Sequence, residues 1–97
     1  MPFNTPTKSL TLLDPIEQHV IDKVIKLRKD SKMRQQDIAS ILHTTTSFVG
    51  NVENNRNQAK YNLKHINVLA DYFGLSPKYF LPDVPNKKIV KHKGSRA

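Results

Sequence analysis

Residues Gln35–Asn55 read QQDIASILHTTTSFVGNVENN, and this stretch carries the clearest structural pattern in the chain. Two runs of apolar residues within it follow the spacing of one helical face. They comprise Ile38, Ala39 and Leu42 in the first half and Val49 and Val52 in the second. The pattern predicts a helix at Gln35–Leu42, a tight turn at His43–Thr44, and a second helix from about Thr46 to Asn54. Thr45 is a suitable N-cap for the second helix.

The second predicted helix carries small polar groups on the face that its valines leave free. These positions are Thr46, Ser47, Gly50, Asn51 and Asn54. Short, uncharged donors and acceptors on a helix can lie close against base edges in the major groove of DNA. Asn51 is the strongest single candidate for specificity, because an asparagine can make two hydrogen bonds to one adenine. We therefore predict base contacts by Thr46, Ser47, Gly50 and Asn51.

At these residues the chain resembles the λ-repressor/Cro/XRE class of bacterial and phage DNA-binding domains. That class has a leucine-x-Gln-x-x-x-Ala-x-x-Leu-Gly run, a Ser or Thr cap, and an x-x-x-Ile-Ser-x-x-Glu segment. The matching positions here are Met33, Gln35, Ala39, Leu42, Thr45, Val49, Gly50 and Glu53. A later part of the pattern matches residues 69–81. The resemblance covers roughly residues 16–82 and implies an all-α fold, a small λ-repressor-like bundle of about five helices with a helix-turn-helix.

Three positions depart from the pattern of that class. Arg34 stands where the class usually has a Thr or Ser cap, which weakens the local cap but places a cation at a helix N-terminus suited to anions. His43 stands at a turn glycine, and histidine accepts the left-handed conformation better than β-branched residues do. Asn55 replaces another frequent glycine, in a loop where asparagine suits a left-handed helix end.

The resemblance also implies contacts to the DNA backbone. Gln35 would hold a phosphate and brace the first residue of the recognition helix, and the loop after that helix would follow a phosphate strand. The predicted backbone contacts are Arg34, Gln35, Gln36, Thr45, Asn54, Asn55, Arg56 and Lys60. Further candidates are Tyr61, Lys64, Arg28 and Lys32. An ordinary polar surface is the alternative interpretation for all of them.

Two residues of the second helix allow more than one interpretation. Phe48 lies on neither clean face, so it either packs back on the preceding helix or touches a thymine methyl or a sugar. Glu53 is expected to be structural, either pairing with a basic residue such as Arg56 or accepting backbone N–H groups. No base contact is assigned to it.

The rest of the chain supplies further helices. Asp14-Pro15-Ile16-Glu17 is a strong helix start, and the helix is expected to run to about Ser31. Its apolar stripe is Ile16, Val20, Val24 and Leu27, widened by Ile21 and Ile25. Asn62 is expected to cap a later helix that Gly74 ends, with the stripe Leu63, Ile66, Leu69, Ala70 and Phe73. Ser76-Pro77 starts a short fifth helix, in which Tyr79, Phe80 and Leu81 provide apolar cover and Pro82 is the stop.

Charge and length set the domain organisation. The 97 residues carry a net charge of +8, which favours nucleic acid over an anionic membrane as the partner. We predict a flexible arm at residues 1–13, a DNA-binding domain at 14–83 and a basic tail at 84–97. No apolar run is long enough to span a membrane, the start lacks a signal peptide pattern, and cysteine is absent. With the resemblance, these features predict a cytoplasmic protein of a bacterium or phage.

The expected function is sequence-specific binding of double-stranded DNA by a transcriptional regulator, a repressor that occludes a promoter. A homodimer is expected, because one such helix reads too few base pairs to be selective. The alternative is an antitoxin that binds a toxin protein and its own operator. We expect no enzyme activity, no cofactor and no metal site, since no GxGxxG, GxxxxGK[ST] or HExxH motif occurs and the four histidines are scattered.

Overall fold

The computed structural model describes residues 13–85, which form a helical unit with no strand among them. Within this range the elements are α1 (Pro15–Asp30), α2 (Gln35–Leu42), α3 (Thr46–Glu53), α4 (Leu63–Phe73) and one 3-10 turn (Pro77–Phe80). The predicted all-α class is confirmed, and the predicted fifth helix is this single turn. None of the described helices combines the length and the apolar character needed to cross a membrane. The predicted arm and tail lie outside the described residues, apart from Leu13, Val84 and Pro85.

The start of α1 follows the sequence pattern. Pro15 occupies the first helical turn, and the N–H of Asp14 donates to the Glu17 carboxylate at 3.1 Å. The helix ends where Lys32 adopts a left-handed conformation with φ of 58°. Its neighbour Met33 then donates its N–H to the carbonyl of Arg28 at 2.9 Å, which closes the last turn of the helix.

The connection between α2 and α3 also agrees with the predicted turn. His43 is left-handed, with φ of 57° and ψ of 44°, and the N–H of Thr44 returns to the carbonyl of Ala39 at 2.9 Å. The hydroxyl of Thr45 accepts the N–H of Phe48 at 3.0 Å and so caps α3. Together these contacts reverse the chain within three residues, and α3 begins beside the end of α2.

The first residues of α2 show how the chain compensates for the arginine at its cap. The side chain of Arg34 accepts no hydrogen bond from the helix, but the Asp37 carboxylate accepts the N–H of Arg34 at 2.8 Å. This bond supplies one half of a capping box. Asp37 also places a negative charge in the first turn, where the helix dipole favours it.

The core lies where all four helices and the 3-10 turn meet. The apolar residues predicted for α2 and α3 are all buried in it, and α1 and α4 contribute the centres of their predicted stripes. The buried side chains are Leu13, Val20, Ile21, Val24, Ile38, Ala39, Leu42, Val49, Val52, Tyr61, Ile66, Leu69, Ala70 and Phe80. Two predicted stripe residues are exposed instead, Ile16 at 41% and Leu63 at 81%. Both lie in the first turn of their helix, where the stripe extends past the core.

The 3-10 turn is part of this core. Phe80 is fully buried, and its ring packs edge-on to Tyr79 at 5.1 Å. The turn is anchored by Ser76, whose hydroxyl accepts the N–H of Lys78 at 3.3 Å. The predicted description of Phe80 as apolar cover therefore understates its role, because its side chain closes the core between α1 and α4.

Replacing Phe80 with alanine should lower the free energy of unfolding by roughly 3–5 kcal/mol, because a large side chain is removed and a cavity remains. Urea denaturation measures this loss. Val84→Ala is the control, since Val84 is 69% exposed and its loss should change stability by no more than about 0.5 kcal/mol. Equal denaturation midpoints for the two variants would show that the turn does not hold the core.

Candidate nucleic-acid interface

The helix α3 separates its apolar and polar residues cleanly. Val49 and Val52 are 0% and 2% exposed and anchor one side of the helix in the core. On the outer side Thr46, Ser47 and Asn51 are exposed, and Gly50 lies between them, partly covered. The structure thus brings the four predicted base-contact residues together on one surface of one short helix. That surface carries no charged group of its own.

Gly50 lies close to the side chain of Gln35, the first residue of α2. A Cβ atom at position 50 would be 3.4 Å from the Oε1 atom of Gln35. A methyl group there would make an ordinary van der Waals contact with the amide oxygen. The first turn of α2 thus packs against α3 at Gly50.

A polar network joins the two ends of this helix pair to α1. Arg28 donates from Nε and Nη2 to the two carboxylate oxygens of Glu53, each at 2.9 Å, and from Nη1 to the carbonyl of Met33, also at 2.9 Å. Gln35 donates from Nε2 to the Oε1 atom of Glu53 at 2.9 Å. The side chains of Arg28 and Glu53 are only 13% and 7% exposed. We call this arrangement the Arg28–Glu53–Gln35 network.

The network corrects three expectations from the sequence. Glu53 is structural as predicted, but its cation is Arg28 of α1 and not Arg56. Arg28 uses its guanidinium within the protein, so it is a structural residue and not the phosphate contact considered for it. Gln35 braces α3 at its last residue, Glu53, and not at its first residue. In each case the pairing joins residues of different helices, so it depends on how those helices pack and not on the local sequence.

The other predicted backbone contacts fall into two groups. Most are exposed, either around the starts of α2 and α3 or in the loop after α3. These are Arg34, Gln36, Thr45, Asn54, Asn55 and Arg56. Arg34 is 72% exposed and lies 3.8 Å from the Asp37 carboxylate. Asn55 does not adopt the left-handed conformation considered for it. Asn54 is extended, and its side-chain oxygen accepts the N–H of Arg56 at 3.0 Å within the turn.

Two of the candidates after α3 have other roles. The ammonium of Lys60 lies 2.7 Å from the Glu17 carboxylate, so this side chain ties the loop to the start of α1. Tyr61 is 7% exposed and belongs to the core. Its burial raises the pKa of the phenol, and the nearby Glu53 carboxylate raises that pKa further. Tyr61 is therefore a structural residue and not a surface contact.

Phe48 belongs to an aromatic cluster that the sequence did not reveal. Its ring lies 6.1 Å from that of Tyr61 and 5.4 Å from that of His65, and the latter two rings are 5.8 Å apart. Phe48 therefore packs inward, against the core and against Tyr61 and His65, and the contacts with these two rings were not predicted. No spacing rule could indicate this contact, because Tyr61 lies in an irregular loop. The cluster links α3 to the first turn of α4.

The first turn of α4 is closed by two reciprocal hydrogen bonds. The side-chain oxygen of Asn62 accepts the N–H of His65 at 2.9 Å, and the Nδ1 atom of His65 accepts the N–H of Asn62 at 3.0 Å. Asn62 is the predicted cap, whereas the part played by His65 was not predicted. Burial lowers the pKa of His65 below its ordinary value of 6.5, and the neighbouring Lys64 lowers it further. The neutral ring is the form that can accept this bond.

Among residues 13–85, no group of three or more His, Asp or Glu side chains is arranged to hold a metal ion. Comparisons with known proteins do not extend the argument. The chain matches no family model, no curated protein and no solved structure.

A double-mutant cycle at Arg28 and Glu53, using alanine variants, should give a coupling energy of about 1–3 kcal/mol, because each single variant leaves a poorly hydrated charge without its partner. Urea denaturation of the four proteins measures it. The control cycle is Lys26 and Asp30 on α1, whose side chains are 70% and 63% exposed and whose coupling should be about 0.3–0.5 kcal/mol. Equal coupling in the two cycles would contradict a stabilising role for the network.

His65 should make stability depend on pH. Because its pKa is lower in the folded protein than in the unfolded chain, the unfolded chain binds more protons between the two values. The contribution of His65 to the free energy of unfolding should be fully present above pH 6.5 and should be lost as the pH falls through the pKa of His65 in the folded protein.

The matched variant for this effect is His65→Gln, which keeps a side chain suited to the reciprocal cap but does not titrate. Urea denaturation at several pH values should show a smaller loss of stability on acidification for this variant than for the parent. Parallel pH profiles would mean that the cap does not depend on the charge of His65.

Proposed function

We propose that this chain binds double-stranded DNA in a sequence-specific manner as a transcriptional regulator of the λ-repressor/Cro/XRE type. In this proposal α2 and α3 act as a helix-turn-helix, and α3 enters the major groove. The observation that carries the proposal is the outer surface of α3, where Thr46, Ser47 and Asn51 are exposed around Gly50 on a helix anchored by two buried valines. The resemblance of residues 16–82 to that class supports the same conclusion.

The chemistry of this surface suits base edges. The major groove is wide enough for an α-helix, and each base pair presents there a distinct set of donors and acceptors. Hydroxyl and amide groups on short side chains can read that set only when the backbone comes close. Gly50 permits such an approach, since it adds no side chain between the helix and the DNA.

Groups that could contact phosphates flank this surface. Arg34 is exposed at the start of α2, and Arg56 is exposed in the loop after α3, with no ion-pair partner among residues 13–85. The net charge of +8 adds a general attraction for the DNA backbone. Contacts of this kind orient a protein on the duplex, whereas the bases supply the selectivity.

Binding as a homodimer to a palindrome, and repression by covering a promoter, complete the proposal. Each subunit would read one half-site, and the centres of the half-sites would be about 34–36 Å apart, one turn of the duplex. Selection of binding sites from a pool of random duplexes tests this directly. A palindromic consensus with that spacing is expected.

Asn51→Ala should weaken binding to the selected duplex by about 1–3 kcal/mol and leave binding to random duplex nearly unchanged, because a bidentate base contact is lost. Fluorescence anisotropy across a salt series measures both affinities. Asn67→Ala is the control, since Asn67 is an exposed asparagine on α4. Arg56→Ala should instead weaken all sequences alike and reduce the salt slope by about one.

Two results would contradict the proposal. Equal losses on selected and random duplex for Asn51→Ala would remove α3 as the source of specificity. Absence of any duplex binding would reject DNA as the partner and favour the interpretation as a protein-binding antitoxin.

A further inference from the structure

A cleft lies between α1 and the 3-10 turn, and its volume is about 540 Å³. It is lined by His19, Lys23, Lys78, Tyr79, Leu81, Pro82 and Asp83. All of these residues belong to α1 or to the segment from the 3-10 turn onward, so the cleft shares no lining residue with α2 or α3. Cavities of roughly 300–1,000 Å³ are typical of sites for small molecules.

Two lysines in the cleft lack a carboxylate partner. The ammonium of Lys23 lies 4.8 Å from the centroid of the Tyr79 ring, an arrangement that holds its charge at the cleft. Within residues 13–85 neither Lys23 nor Lys78 forms an ion pair, whereas Lys26 and Lys60 each have a carboxylate within 3.1 Å. Two like charges at one cleft repel each other, and an anion between them would remove that repulsion.

The remaining wall of the cleft is mixed in character. Tyr79, Leu81 and Pro82 offer apolar surface, and His19 contributes its imidazole. The Nε2 atom of His19 is buried and has no hydrogen-bond partner among the described residues. Asp83 adds one negative charge, so the two lysines and Asp83 together leave the cleft with a net positive charge. An apolar wall with a few placed polar groups is the usual composition of a ligand site.

We propose that this cleft binds a small organic anion, a carboxylate or phosphate group attached to an apolar body. Lys23 and Lys78 bind the anionic group, Tyr79 and Leu81 contact the apolar body, and Asp83 weakens the binding of anions. This site is separate from the proposed DNA-binding surface, and its test needs no DNA.

The test is a nuclear magnetic resonance titration of the full chain, labelled with ¹⁵N, at constant ionic strength. The probes are benzoate, phenyl phosphate and inorganic phosphate. Saturable shifts confined to the residues that line the cleft are expected. The two aromatic probes should bind more tightly than inorganic phosphate, because only they reach the apolar wall. Whichever aromatic probe binds more tightly identifies carboxylate or phosphate as the preferred anionic group.

Charge variants distinguish binding in the cleft from a general attraction of anions to the basic protein. Lys23→Gln and Lys78→Gln should each weaken binding about tenfold, because each removes one charge-assisted hydrogen bond. Asp83→Asn should strengthen binding, because it removes a negative charge from the cleft. Lys29→Gln is the control, since it removes the same charge from an exposed position on the same helix. Shifts that do not saturate, or an equal loss for Lys29→Gln and Lys23→Gln, would overturn the proposal.

Discussion

The arrangement of the three N-terminal helices depends on one carboxylate. Glu53, the last residue of α3, accepts hydrogen bonds from Arg28 near the end of α1 and from Gln35 at the start of α2. With its side chain only 7% exposed, this charge has little water to replace a lost partner. The two valines of α3 supply the apolar attraction, which has no direction, whereas the hydrogen bonds of the carboxylate are directional and join α3 to the other two helices. Both contribute to the orientation of the outer face of α3.

The sequence predicted those features that depend on neighbouring residues. The cap at Thr45, the left-handed turn at His43 and the bounds of α2 all result from local backbone chemistry, which a short window of sequence contains. The apolar stripes of α2 and α3 were also predicted correctly, because each short helix has only one face with apolar residues that could be buried. The all-α class follows from the same patterns, as no segment of the described range alternates like a strand.

What the sequence could not predict are pairings between distant residues. Arg28 and Glu53 are 25 positions apart, and several other basic residues were equally suitable partners. The burial of Tyr61 and its contact with Phe48 depend on the path of an irregular loop, for which no periodicity exists. Leu63 was predicted to belong to the apolar stripe of α4 but is exposed, because the sequence does not show where the neighbouring helices end. The outer face of α3 and its two buried valines were predictable, whereas the polar and aromatic contacts that also hold the helix in place were not.

The closeness of Gly50 to Gln35 limits how the outer face of α3 can evolve. Under the proposed function, a new preference for other base pairs would arise by exchanging side chains along this helix. A side chain at position 50 would contact the amide of Gln35, which is bonded to Glu53, so a substitution that displaced this amide would affect stability as well as the surface. Thr46, Ser47 and Asn51 are exposed, and exchanges there leave this bond in place. A mutational library intended to alter recognition should be confined to these three codons.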